Sequence, residues 1–207
     1  MTQRTLFTVG HSTRAWVEFI ALLKAWRIEQ LVDVRAVPRS RTFPWFSKER
    51  MEEALRKSAI TYAHLSKLGG FRHSDKTNNP ENAGWENARF RAYADYMQTK
   101  AFEEGLAELN QRRKKQRVCV MCSEAVWWRC HRRMIADAEV ARGVPVRHLM
   151  NDHVAKQHEV TEFAMVEKRT GRMPVVTYPV RSSPHKASLF PRLAASPRQV
   201  CGRIRQP

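Results

Sequence analysis

No window of the 207-residue chain approaches the uninterrupted apolar length needed to cross a bilayer, and the opening MTQRTLFTVG lacks the apolar core of a signal peptide. Neither a membrane partner nor a secreted address is expected, and the sequence reads as cytoplasmic. Cysteine is scarce: four residues are too few for a disulfide scaffold and fit a reducing compartment. The eight glycines form neither G-x-G-x-x-G after the first strand-like run nor G-x-x-x-x-G-K-[ST] anywhere. That removes the fingerprints of dinucleotide-binding and P-loop proteins. No second C-x-x-C and no H-x-x-x-H completes a structural zinc set, so a bound metal is not favoured as a cofactor. No internal repeat marks a solenoid.

Acidic residues are absent from Lys168 to the end, where nine of the 37 Lys and Arg and six of the ten prolines lie. The other 28 basic residues stand against all 20 acidic ones in the first 167 residues, so about half of the formal charge of +17 belongs to this stretch. Residues 1–167 are therefore expected to form a single domain. Residues 168–207 read as a basic, proline-rich, disordered tail able to bind nucleic acid or anionic surfaces without specificity.

Within the domain, apolar patterning alternates between strand and helix. Thr5 to Val9 read as a strand ending at Gly10-His11-Ser12, followed by a helix with Trp16, Phe19, Ile20, Leu23 and Trp26 on one face. Leu31 to Val37 read as a second strand. Its alternation puts Asp33 and Arg35 on one face, either as an ion pair or as site residues. Arg39, Ser40 and Arg41 follow in a loop, and Ser47 is placed to cap a helix over residues 48–58. Ile60 to Leu65 give a third strand, with His64 near its end and Leu68-Gly69-Gly70 beyond, where paired glycines permit a tight turn or close approach to a ligand. Residues 71–86 form a long polar loop: a lid, a binding loop or a variable insertion. Two helices then carry the stripes Phe90, Tyr93, Ala94, Met97 and Phe102, Leu106, Leu109. Strands at 118–122 and 146–149 flank another helix. The pattern predicts an α/β, Rossmann-like three-layer domain with a mostly parallel sheet of about five strands.

The richest stretch is VCVMCSEAVWWRCHRR, residues 118–133. A buried parallel strand ends here in thiols, a carboxylate, an imidazole and arginines, at the edge where open α/β sheets bind ligands. Cys119 and Cys122 spell C-x-x-C, but residues three apart on a strand point to opposite faces, so the pair does not make a metal knuckle. A metal would need Cys122, Cys130 and His131, with the loop folded back. A phosphatase-type Cys-x5-Arg loop fails by one residue, since Trp128 stands where the arginine belongs. Cys130, His131 and Arg132 fall near a helix N-terminus, whose field favours anions and lowers a thiol's pKa.

Taken together, these segments resemble one family. Thr8-Val9-Gly10-His11-Ser12, Asp33-Val34-Arg35 with Pro38-Arg39-Ser40-Arg41, Tyr62-x-His64-Leu65 with Leu68-Gly69-Gly70, Tyr93-Ala94-x-Tyr96-Met97, and Met121-Cys122-x-Glu124 with Cys130-His131-Arg132 are similar to the domain-of-unknown-function family numbered 488. The likeness spans about residues 5–150, leaves Cys119 outside its motifs, and implies a bacterial or archaeal cytosolic α/β protein. It brings no activity with it, and fold alone supplies none.

Three functional classes fit the residues. The leading expectation is an enzyme acting on a nucleic acid, a nucleotide or another phosphorylated small molecule, with a hydrolase or glycosidase-type reaction. In it Arg35, Arg39, Arg132 and the helix N-terminus hold an anionic group. Glu124, His131, Asp33 and His11 are the catalytic candidates, with Glu124 or His131 as general acid or base. Ser12, Ser40, His64, Gly69 and Gly70 line the substrate, and Cys122 or Cys130 is a further candidate nucleophile. The alternative is a non-catalytic nucleic-acid-binding or regulatory protein; the third is a metal or redox sensor.

Overall fold

The computed structural model describes residues 4–72, 79–168 and 173–180. In chain order the strands are β1 (Leu6–Gly10), β2 (Gln30–Asp33), β3 (Thr61–His64), β4 (Val118–Cys122), β5 (Val146–Leu149), β6 (Ala155–Gln157), β7 (Met165–Glu167) and β8 (Val175–Thr177). The α-helices are α1 (Trp16–Ala25), α2 (Lys48–Arg56), α3 (Ala88–Tyr96), α4 (Lys100–Lys115) and α5 (Arg132–Ala141). Six strands form one sheet in the order β3-β2-β4-β1-β5-β6, all parallel except β6, and β7 pairs with β8 as a separate antiparallel hairpin. β1, β2 and β4 occupy the middle and are buried at every position, which explains why apolar residues predominate on both of their faces.

Strand alternation sorts these residues into two cores. Phe7, Val9, Leu31, Cys119 and Met121 pack against Phe19, Leu22 and Leu23 of α1 and Met51 and Leu55 of α2. On the opposite face, Leu6, Val32, Val118, Val120 and Cys122 meet Tyr93 and Ala94 of α3, Phe102, Leu106 and Leu109 of α4, and Met134, Ile135 and Ala138 of α5. This is the expected three-layer α/β domain, and it separates Cys119 from Cys122. From β1 the chain moves outward through β2 and β3, then returns to insert β4 and crosses to β5. The carboxyl ends of β1, β4 and β2 thus form the topological switch point, where such sheets bind ligands.

Local chemistry corrects several expectations. β2 stops at Asp33 rather than running to Val37, because the Asp33 carboxylate accepts the Arg35 amide at 2.9 Å and turns the chain out of the ladder. Ser47 sits at the N-cap of α2 but donates its hydroxyl to the Pro44 carbonyl at 2.8 Å and caps nothing. N-cap side chains do bond at α3, where Asn87 accepts from the Arg89 amide, and at α4, where Thr99 accepts from the Phe102 amide.

The folded body also extends past residue 167. Residues 173–180, placed in the tail by composition, contain β8, and Tyr178 is fully buried with its hydroxyl donating to Asp137 at 2.8 Å. The remainder of the predicted tail, residues 169–172 and 181–207, and residues 73–78 of the predicted polar loop lie outside the described residues. Among the described residues, no helix is long and apolar enough to cross a membrane.

Candidate functional site

The loops after β1 and β4 are joined backbone to backbone. The amides of His11 and Ser12 donate to the carbonyls of Cys122 and Ser123, each at 3.0 Å. Gly10 permits this approach: a Cβ there would lie 2.0 Å from the Glu124 carbonyl oxygen. Ser12 follows with a left-handed φ of 49°. Gly10-His11-Ser12 is thus first a device for holding two strand ends together.

His11 is buried, its ring stacked on Phe46 at 4.1 Å. Nδ1 lies 2.9 Å from the Ser12 carbonyl and Nε2 3.4 Å from Arg35 Nη1, so Nδ1 carries the proton and Nε2 accepts from the guanidinium. Burial, reinforced by the Arg35 charge, lowers its pKa to about 4. His11 is a neutral acceptor here.

Asp33 and Arg35 form the ion pair that their spacing allowed. Arg35 Nη2 meets Asp33 Oδ2 at 2.6 Å, Nε is shared between both carboxylate oxygens, and Nη2 also donates to the Phe46 carbonyl. The Tyr62 hydroxyl adds a bond to Asp33 at 2.8 Å. All three nitrogens of Arg35 are engaged inside the protein. Asp33, expected as a catalytic candidate, and Arg35, expected to grip an anion, thus direct their side chains to partners within the protein.

Arg132 is likewise turned inward and almost fully buried. Nε donates to Cys130 Sγ at 3.4 Å, Nη1 to Thr8 Oγ1 at 3.5 Å, and Nη2 to the carbonyls of Glu124 and Ala125. It fastens the loop after β4 and places positive charge beside a thiol.

That thiol belongs to a buried cluster of two thiols and an imidazole, Cys122, Cys130 and His131, whose ligand atoms lie within 4.8 Å of one another. The short 3-10 turn Trp127–Arg129 folds the loop back, so Cys130 returns beside Cys122 at the strand end. His131 Nδ1 lies 3.6 Å from Cys130 Sγ and 4.0 Å from Cys122 Sγ, and its Nε2 lies 3.1 Å from the Val34 carbonyl. A carbonyl can only accept, so Nε2 bears the proton and Nδ1 turns its lone pair to the two sulfurs. Burial raises the Cys130 pKa, but the Cys122 thiol and the charge and hydrogen bonds of Arg132 outweigh it and bring it down to about 6. Cys122, donating to Cys130 and buried, is pushed up to about 12.

The loop after β3 completes this wall. Tyr93 and Tyr96 of α3 donate their hydroxyls to the carbonyls of Leu68 and Lys67 at 3.0 and 2.7 Å. Gly69 passes against the Ala36 backbone, and Gly70 lies so close to the His131 ring that a Cβ would come within 2.3 Å of Nδ1. The glycine pair seats an imidazole.

The remaining candidates are dispersed. Glu124 is exposed, its carboxylate accepting from the Val126 amide at 3.3 Å, while only its backbone enters the strand-end junction. Arg39 is exposed, and Ser40 accepts from the Phe43 amide at 3.0 Å in a turn. His64 Nε2 bonds the Arg35 carbonyl at 2.8 Å, another brace on the loop after β2.

Sequence reading missed a buried polar chain on the same face. Arg132 donates to Thr8; Thr8 Oγ1 lies 2.7 Å from His148 Nδ1; His148 Nε2 lies 2.9 Å from His158 Nδ1; and His158 Nε2 lies 2.8 Å from Asp137 Oδ1. Since a carboxylate only accepts, each proton in the chain must point toward Asp137. Thr161 and Tyr178 also donate to Asp137. Asp137 inside an apolar helix stripe was the one visible signal, because an aspartate so placed needs partners. Trp127 stacks on His148 at 4.1 Å. A cavity of about 600 Å³ lies elsewhere, between the β7–β8 hairpin and helices α3 to α5, lined by Met97, Phe102, Arg142 and Val176. It shares no residue with the strand-end cluster.

A family model described as "Domain of unknown function DUF488" matches residues 15–139, which takes in the loops after β2, β3 and β4 but not β1 or Gly10-His11-Ser12. No curated protein and no solved structure matches the chain.

Proposed function

The chain belongs to the DUF488 family, and from that premise, which carries no activity, we propose that it is an enzyme acting on single-stranded nucleic acid or nucleotides at the carboxyl edge of its sheet. One observation carries the reading: the loops after β2 and β4, which end at the same edge of the sheet as the thiol–imidazole cluster, each carry an exposed tryptophan and exposed arginines. Trp45, 37 % exposed, lies in the 3-10 turn Pro44–Phe46 of the loop that bears Arg39 and Arg41; Trp128, 46 % exposed, precedes Arg129. Indole faces stack on any base and guanidinium groups pair with phosphates, the combination by which single strands are held. The buried arginines supply the frame, and the exposed ones face the ligand.

Catalysis, in this reading, falls to the Cys122, Cys130 and His131 cluster, with the Glu124 carboxylate on the same loop as Trp128. Fluorescence anisotropy with a labelled single-stranded oligonucleotide tests recognition, and chromatography of the incubated strand tests turnover. Each of Trp45→Ala and Trp128→Ala should weaken binding by about 1–3 kcal/mol, with affinity falling as salt rises. Binding unchanged in both variants would refute the site. Binding without turnover, unaltered by His131→Ala, would favour the non-catalytic reading.

A further inference from the structure

We propose that Cys122, Cys130 and His131 form a three-ligand site for a zinc-class divalent cation. The three ligand atoms lie within 4.8 Å of one another. Tetrahedral zinc with ordinary bond lengths sets sulfur to nitrogen at about 3.6 Å and sulfur to sulfur at about 3.8 Å. The separations of 3.6 and 4.0 Å from Nδ1 to the two sulfurs are already near those values. Thiolate and imidazole together select a soft or borderline metal over magnesium or calcium.

Geometry around the cluster supports the assignment independently. Metal-binding histidines fix their tautomer by donating the other ring proton to a carbonyl or carboxylate, and His131 Nε2 does so to Val34 at 3.1 Å. The Arg132 Nε proton on Cys130 Sγ, at 3.4 Å, is the kind of contact that compensates a bound thiolate. Gly70 leaves room for the ring to stand where Nδ1 reaches both sulfurs. Cys119, by contrast, is packed on the other face of the sheet. The fold-back of Trp127–Arg129 is what strand periodicity alone does not reveal. Three protein ligands are the complement of catalytic zinc sites, which keep a fourth position for water or substrate. Only the metal's catalytic role rests on the proposed function; its binding does not.

Cobalt, a spectroscopic stand-in for zinc, gives the test. The full chain carrying Cys201→Ser, reduced and stripped of metal, is titrated with Co2+ and then with Zn2+. One equivalent should produce the visible bands of tetrahedral cobalt together with thiolate charge transfer, and zinc should bleach both. Bound zinc should also shield two thiols from a thiol reagent. Cys122→Ser and His131→Ala should abolish the bands, while Cys119→Ala keeps them. Gly70→Ala, which alters no ligand, should weaken binding about 10–100-fold. Circular dichroism of each stripped variant separates lost ligation from lost folding. Absent bands, bands that survive Cys122→Ser or His131→Ala in folded protein, an unaffected Gly70→Ala, or recovery of Cys122 and Cys130 as a disulfide that takes up no cobalt after reduction would overturn the proposal. Oligonucleotide binding is measured on the stripped protein, so metal uptake without strand binding counts against the proposed function alone, and the converse against the metal alone.

Discussion

Replacing His148 with glutamine should flatten the loss of stability that mild acid produces. In the fold His148 accepts from Thr8 and donates to His158, and a second proton on its ring would leave Thr8 with two donors facing it and no acceptor for its own hydrogen. Burial, aided by the neighbouring His158, Arg132 and Lys156, lowers its pKa from 6.5 to about 2, while burial and Arg35 lower that of His11 to about 4. Both rings stay neutral in the native state and become charged once the chain unfolds below pH 6.5. The unfolded chain therefore binds more protons throughout the window from 6.5 down to the folded values, and stability falls as pH falls. Between about pH 7 and about pH 5 the loss is about 2 kcal/mol for each ring, a sizeable part of a typical domain's stability. Glutamine can accept from Thr8 and donate to His158 but does not titrate. Urea unfolding at the two pH values, for wild type and variant, isolates the effect: the acid-induced loss should shrink by about 2 kcal/mol, whatever the variant costs at neutral pH. An identical loss in both proteins would refute a neutral, buried His148 and the proton direction assigned to the chain.

Asp33→Ala should cost about 3–5 kcal/mol in urea unfolding, because it strands a buried guanidinium. The double replacement Asp33→Ala with Arg35→Met should recover part of that loss; a full-length single variant as stable as wild type would show that the pair is not a structural brace. Truncation after residue 172 removes β8 and the buried Tyr178, so it should melt below a chain truncated after residue 180. Equal melting temperatures would return the domain boundary to 167.

What the sequence made legible follows from which features repeat. A continuous apolar run identified β4, and a mainly apolar one β1, because both faces of those strands are covered, and the stripes of α1, α3 and α4 emerged because one face of each helix meets the sheet. β6, β7 and β8 have three residues each, too short for any period, and β8 lies among prolines and basic residues whose composition imitates a tail. The expected β2 ran too long because LVDVRAV continues the strand pattern while a side chain, invisible to periodicity, captures the Arg35 amide.

The site was legible as a location but not as a division of labour. Alternation separated Cys119 from Cys122, and the strand-end rule gathered His11, Asp33, Cys122 and His131 at one edge. Whether a charged residue faces inward or outward is decided by loop geometry instead. Arg35 and Arg132, read as anion ligands, spend their guanidiniums on Asp33, Phe46, Thr8, Cys130 and loop carbonyls, whereas Arg39, Arg41 and Arg129 remain exposed. A guanidinium is as well suited to satisfying several buried carbonyls as to holding one phosphate, since both uses exploit the same fork of donors. Residue type therefore cannot separate brace from grip, and the distinction rests on burial. By that criterion the inward arginines brace the strand ends around Cys122, Cys130 and His131, and the outward ones, with Trp45 and Trp128, are the groups that the proposed function assigns to the ligand.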